Sequence, residues 1–386
     1  LNRMIGAEWV FQCSVITYVM SVIVAPFNAM IIAKERMGIY ASLGILDVVF
    51  KLLIVFVLGW IDGDRLRVYA VLLILVSLVN NLFCVVYSYR KFPETHVRLK
   101  WDRDIVKTVF GYSSWTLFGS LAYICNTQGI NILLNVFFGP LLNAAYAIGN
   151  QVKGALNQFA GNFYAAMRPA MMKEFSKNNV EYVSGMFYTG TKIMFVLLFV
   201  LIFPVSLEIE GILELWLGKI GVHMVEFVRL MLLWGMVLSL SDPITTIIQA
   251  ANKVKRYHLI VESITLLSLP VSYIVFHMGA DPSSAFIVSI LSLLLAHWVR
   301  LKILQPIINL SIWDYVKVIV FRICIIMGGS FLLWKGVSLL FPHFMELLIP
   351  AIIIEFVIAV FMCYFLILNS KERNFIKGIV ESKLKH

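Results

Sequence analysis

Stretches of about twenty mostly apolar residues recur from one end of this chain to the other. A bilayer hydrocarbon core about 30 Å thick needs roughly 20 such residues of α-helix to cross it, and the helix satisfies its own backbone hydrogen bonds there. Eleven segments meet that length: residues 9–33, 39–61, 67–89, 109–138, 141–169, 186–207, 224–250, 257–278, 283–304, 315–340 and 347–368. The expected fold class is an all-α integral membrane protein with about eleven transmembrane helices. Composition agrees: of 386 residues, 60% are hydrophobic and 14% are charged, against about 25% charged in an average soluble protein. Such a chain has too little polar surface to enclose a water-soluble core and too much apolar surface to stay disordered. The net charge of +10 is expected in cytoplasmic loops, and no nucleic-acid partner is expected.

The Lys and Arg distribution sets the expected orientation. Alternate loops fall into two sets. One set, with the tail, carries 21 basic residues: Lys34 and Arg36, the cluster Arg90–Lys107, the cluster Arg168–Lys177, Lys253–Arg256, Arg300 and Lys302, and five between 371 and 385. The other set carries 5: Arg3, Arg65, Arg67, Lys219 and Lys335. The first set and the C-terminus are therefore expected on the cytoplasmic side, and the 208–223 loop outside. Leu1 would lie outside, as it would in a chain lacking an odd number of preceding helices. No n-region and h-region precede Trp9, so no signal peptide is expected. The longest polar stretch, 91–108, reads as a cytoplasmic linker between two helical bundles. The five cysteines sit in apolar runs and the seven histidines show no ligand spacing, so no disulfide, metal or cofactor is expected.

The segment 141–169, LLNAAYAIGNQVKGALNQFAGNFYAAMRP, is long enough to span, yet it carries Asn143, Asn150, Gln151, Lys153, Asn157, Gln158 and Asn162, with Arg168 at its end. At about 100° per residue these fall on one half of the cylinder, with an apolar arc from Ala145 to Phe163 opposite. A lipid-facing amide row would be costly, so the row should face protein or water. Two readings are open: interhelical hydrogen bonding, or a water-filled cavity that suits sugar hydroxyls. In 109–138, Gln128, Asn131 and Asn135 share a face with Ser120 and Thr127 close by, while Asn126 does not share it. The Gly139–Pro140 turn would bring the two polar faces together.

Charges at depth are the next signal. Lys153 lies about 18 Å along its helix, near mid-membrane. It is expected either to contact an anionic substrate or to form an ion pair, with Glu262 or Glu355 as partners. Asp47 and Lys51 stand four apart and read as a neutral pair. Arg322 reads as snorkelling to the cytoplasmic side or as a cavity cation. Asp242, Arg229 and His297 read as structural. The candidate cavity residues are Gln128, Asn131, Asn135, Asn143, Asn150, Gln151, Lys153, Asn157, Gln158, Arg168, Lys51 and Arg322. Amides with cations and few carboxylates point to an anionic, hydroxyl-rich cargo.

Two runs resemble a known family. PFNAMIIAKERMG at 26–38, continued by IYASLGILDVVFKLLIV, and FFGPLLNAAYAIGNQVKGALNQFAGNFYAAMRPAMMKEFSK at 137–177 are similar to Wzx-type polysaccharide-biosynthesis membrane proteins. These are the lipid-linked oligosaccharide flippases of the multidrug/oligosaccharidyl-lipid/polysaccharide exporter superfamily. The resemblance implies a fourteen-helix, MATE-like two-lobe fold, of which the eleven segments are helices four to fourteen. It divides the chain into an N-terminal lobe remnant (1–90), the linker (91–108), a six-helix lobe (109–305), and a final pair with the tail (306–386). It also implies a cytoplasmic-membrane transporter for an undecaprenyl-diphosphate-linked oligosaccharide, used in O-antigen, lipopolysaccharide or other polysaccharide biosynthesis. Alternating access would move the headgroup while the lipid tail stays in the bilayer, and a polysaccharide polymerase is an implied partner. One rival is a cation-coupled multidrug exporter of the same fold, for which Asp47 is the best carboxylate. The other is a membrane glycan polymerase or ligase, for which the 208–223 loop is short and lacks a basic cluster. The expectation is a transporter and not an enzyme.

Overall fold

The computed structural model of the chain describes residues 2–60, 65–96, 102–342 and 347–367. Among them every regular element is helical. The helices are α1 (Asn2–Ala33), α2 (Met37–Gly59), α3 (Arg65–Lys91), α4 (Arg103–Phe138), α5 (Leu141–Ser176), α6 (Val180–Leu207), α7 (Ile209–Leu217), α8 (Met224–Ser239), α9 (Asp242–Ala250), α10 (Val254–Leu266), α11 (Ser268–His277), α12 (Ser284–Ile308), α13 (Ile312–Tyr315), α14 (Phe321–Leu340) and α15 (Leu348–Leu366). Ten helical stretches among the described residues are long and apolar enough to cross a membrane. The expected eleventh, 141–169, is present as α5, but its amides leave it short of that apolarity. At 36 residues and about 1.5 Å of rise each, α5 still has more than the length to cross.

Helix ends differ from the sequence reading in a consistent way. Polar first and last turns extend the apolar stretches, because a helix continues into the headgroup region until capping or proline stops it. So α4 begins at Arg103 rather than 109, α5 runs on to Ser176, and α6 begins at Val180. The 91–108 linker shrinks to the segment between α3 and α4, with a 3-10 turn at Pro93–Thr95; residues 97–101 and the basic tail 371–385 lie outside the described residues. The 208–223 loop holds α7, an amphipathic nine-residue helix with Ile209 and Leu213 buried. Gly139, at φ +86°, makes the tight α4–α5 turn in a conformation that side chains disfavour.

Two spanning helices are broken. Pro243 near the start of α9 removes a backbone donor and splits 224–250 into α8 and α9. Pro270 does the same to 257–278, giving α10 and α11. At the second break, Asn126 on α4 donates Nδ2 to the Thr265 carbonyl at 2.8 Å and to Ser268 Oγ at 2.6 Å, which satisfies a carbonyl exposed by the break. A π-helical turn at Val316–Val320 joins α13 to α14.

The chain forms two compact units, 1–102 and 103–386. In the first, α3 packs against α1 and α2 around a small cluster of Val24, Ile31, Leu43, Cys84 and Phe92, and Lys34 meets Glu94 at 2.6 Å. Most of its apolar side chains point outward, as lipid permits. In the second, α6 is the hub: Phe187, Phe195, Leu198 and Phe199 are buried, and α5, α8 and α15 pack on it. The final pair α14–α15 belongs to this unit. Ile326, Ile358 and Cys363 share one core with α6.

Candidate functional site

The site is organised around α5. Its buried line runs Leu142, Ala145, Tyr146, Gly149, Lys153, Ala160, Tyr164 and Met171. This face meets α8 closely because Gly235 carries no side chain. A Cβ there would stand 2.6 Å from Asn157 Nδ2 and 3.0 Å from Lys153 Cγ. The amide row is expected to face protein or water, and the structure divides it between the two. Of the polar residues of this row only Lys153 is buried, at 8% exposure. Asn143, Asn150 and Asn157 lie half-buried at the edge, while Gln151, Gln158 and Asn162 lie on the face that the second unit leaves open. Gln151 therefore does not line the small void beside Lys153. Phe159 and Phe163, on the apolar arc, are exposed. α8, α6, α9 and α4 all pack on α5 along this line.

Lys153 donates Nζ to Asn150 Oδ1 at 2.7 Å and stands 4.4 Å from the centroid of the Trp234 ring. Among the described residues no carboxylate reaches it. Neither expected ion pair forms. Glu262 sits 3.6 Å from His258, and Glu355 is buried beside Glu208 and Trp334. A buried ammonium costs about 2.5–3.5 kcal/mol on insertion scales, and a cation–π contact returns about 0.5–2 kcal/mol. Beside the ammonium is a void of about 30 Å³ lined by Asn126, Thr127, Ile130, Tyr146, Met231, Trp234, Phe286 and Ser289 as well as Asn150 and Lys153. That is room for about two waters, too little for a sugar or a diphosphate. Asn126, which the helical wheel set apart, is part of this lining.

The other expected residues separate. Gln128 and Asn135 are exposed. Asn131, Asn143 and Asn157 each hold a buried Oδ1 without a donor. Arg168 is exposed and reaches Thr246 Oγ1 with Nε at 3.4 Å. Arg322 donates to the Ile367 carbonyl at 3.2 Å, holding the end of α15. Lys51 pairs with Asp47 at 2.6 Å in the first unit. There they border a cavity of about 430 Å³ with Ser14, Thr17, Tyr18, Ser21, Tyr69 and Ser77.

Sequence reasoning missed a second polar cluster. Arg300, counted among the loop charges, is inside α12 at 3% exposure. It donates Nε to Tyr257 Oη at 3.1 Å and Nη1 to Ser241 Oγ at 2.9 Å. His297, one turn earlier on the same face, bonds Tyr315 Oη at 3.0 Å. Asp242, at the α8–α9 break, feels both Arg168 and Arg300. Arg300, Tyr257, Ser241 and Asp242, with Thr245, His258 and Glu262, border a cavity of about 490 Å³. The available signal was the i, i+3 pair His297 and Arg300 with Ser241–Asp242–Pro243 at a helix break, where transporters place polar sites. Removing Arg300 from the loop count leaves the basic asymmetry large.

No family model matches the sequence, and no curated protein matches it. A solved structure titled "Crystal structure of MATE in complex with MaL6" is similar over 78% of this chain and 69% of its own, with a TM-score of 0.63 and 15% sequence identity. The chain is a multi-pass helical membrane protein with the MATE transporter fold.

Proposed function

We propose that this protein is a transporter that flips a lipid-linked oligosaccharide across the cytoplasmic membrane by alternating access, as a Wzx-type member of the exporter superfamily. One observation carries the reading. α5 is long enough to span, yet Gln151, Gln158, Asn162 and Arg168 occupy the face that its own unit leaves open. In hydrocarbon those groups would be unsatisfied, so the face belongs to a wet path. Amides there offer both donors and acceptors to sugar hydroxyls, and Arg168 offers a guanidinium to phosphate. The C-terminal tail and the α3–α4 connection lie on the cytoplasmic side, and a polysaccharide polymerase receives the flipped product. The work is transport without covalent chemistry.

The test is reconstitution in liposomes with a fluorescent undecaprenyl-diphosphate oligosaccharide. Protein-dependent movement to the opposite leaflet is expected, and Gln151→Leu with Gln158→Leu should slow it at unchanged protein level. The second reading, a cation-coupled multidrug exporter, draws on Asp47 beside Tyr18 and Tyr69 in the 430 Å³ cavity, although Lys51 already neutralises that carboxylate. Efflux of cationic dyes with no glycolipid movement would establish it instead.

A further inference from the structure

The void beside Lys153 is the least explained feature of the second unit. The ammonium has three protons, and one is committed to Asn150. The lining hydroxyls have spent their protons elsewhere: Ser289 on the Ala285 carbonyl, Tyr146 on the Thr127 carbonyl, and Thr127 on the carbonyls of Tyr123 and Ile124. Asn126 has spent its amide on the α10–α11 break. What remains is a positive charge, nine-tenths buried, without a carboxylate, facing a space of about 30 Å³. The other walls are largely apolar: Ile130, Met231, Trp234 and Phe286.

We propose that this space is a binding site for one small monatomic anion, a halide, which serves as the counter-ion of Lys153. Charge neutrality is the first reason, since an unpaired charge away from water is costly and a neutral water would leave it unpaired. Size is the second. A space of about 30 Å³ holds a monatomic ion with little room beside it. Wall chemistry is the third, because an apolar lining suits a weakly hydrated, polarisable ion. The ion sits where α4, α5, α8 and α12 converge, so it fixes their junction. The site is independent of whether the cargo is a glycan or a drug.

Trp234 makes the site visible, since heavy halides quench an indole on contact. The purified full chain is titrated with bromide at constant ionic strength, with gluconate as the balancing anion. The expected result is a saturable loss of fluorescence that chloride competes away and sulfate does not. Trp234→Phe removes the saturable part, and Lys153→Met weakens bromide binding at least tenfold. Quenching that rises linearly with bromide, or that Trp234→Phe leaves intact, overturns the proposal and leaves a void holding water alone. Equal competition by sulfate overturns it as well. The wild-type titration and Trp234→Phe decide the matter even if Lys153→Met fails to fold.

Discussion

Gly235→Ala tests the seam on which the site depends. The added methyl would stand 2.6 Å from Asn157 Nδ2 and 3.0 Å from Lys153 Cγ. Ordinary contact begins near 3.4 Å, so the amide must retreat by about 0.8 Å and the lysine stem by about 0.4 Å, or α8 must move. Overpacking of this kind costs about 1–3 kcal/mol, against a gain of about 1 kcal/mol from replacing a helical glycine by alanine. The net expectation is destabilisation by about 0–2 kcal/mol. Gly154→Ala, where a Cβ meets nothing within 4 Å, keeps the gain without the clash and should be neutral or stabilising. Asn157→Ala removes the main obstacle, and since Asn157 Oδ1 has no donor it should cost little by itself. The double variant should therefore recover most of the loss, a coupling of about 1–2 kcal/mol. Thermal unfolding in detergent, followed by labelling of the buried Cys363 thiol, reads the series. Each kcal/mol should move Tm by about 2–4 °C. A Gly235→Ala variant as stable as Gly154→Ala, with no coupling to Asn157, would refute the close approach of α5 and α8.

Three further outcomes follow from other contacts. Asn126→Ala removes both bonds at the α10–α11 break and should cost about 1–3 kcal/mol, seen as faster amide exchange over residues 262–272. Arg300→Met leaves Tyr257 and Ser241 without their charged donor, at about 1.5–3 kcal/mol for each bond; Arg300→Lys should recover part of it, read as Tm. Burial pushes the Glu208 carboxyl above its ordinary range, with a hydrogen bond to Glu355 and the charge of Arg229 pulling the other way. The folded form therefore holds this proton more tightly than the unfolded chain, so its contribution to stability falls as pH rises above about 4.3. Glu208→Gln should flatten that slope in a series of melts across pH.

What the sequence alone determined here is the set of helices, because hydrocarbon leaves the backbone no other way to satisfy itself and sets the length required. The Gly139–Pro140 turn and the proline-bearing segments were legible for the same local reason. The oddity of α5 was also legible, since the polar residues of 141–169 repeat with helical period. What periodicity does not supply is which side of a helix meets its neighbours. In water the apolar face points to the core, whereas in a bilayer the exterior and the protein interior are both apolar, so amphipathicity loses its direction. The tertiary structure decided that Lys153 and Tyr146 turn inward while Gln151 and Gln158 turn outward, through the gap that Gly235 leaves for α5. It also decided that Arg300 is a buried donor rather than a loop charge, because its partners Tyr257 and Ser241 lie 43 and 59 residues away in sequence, and only packing brings such distant groups within a hydrogen bond.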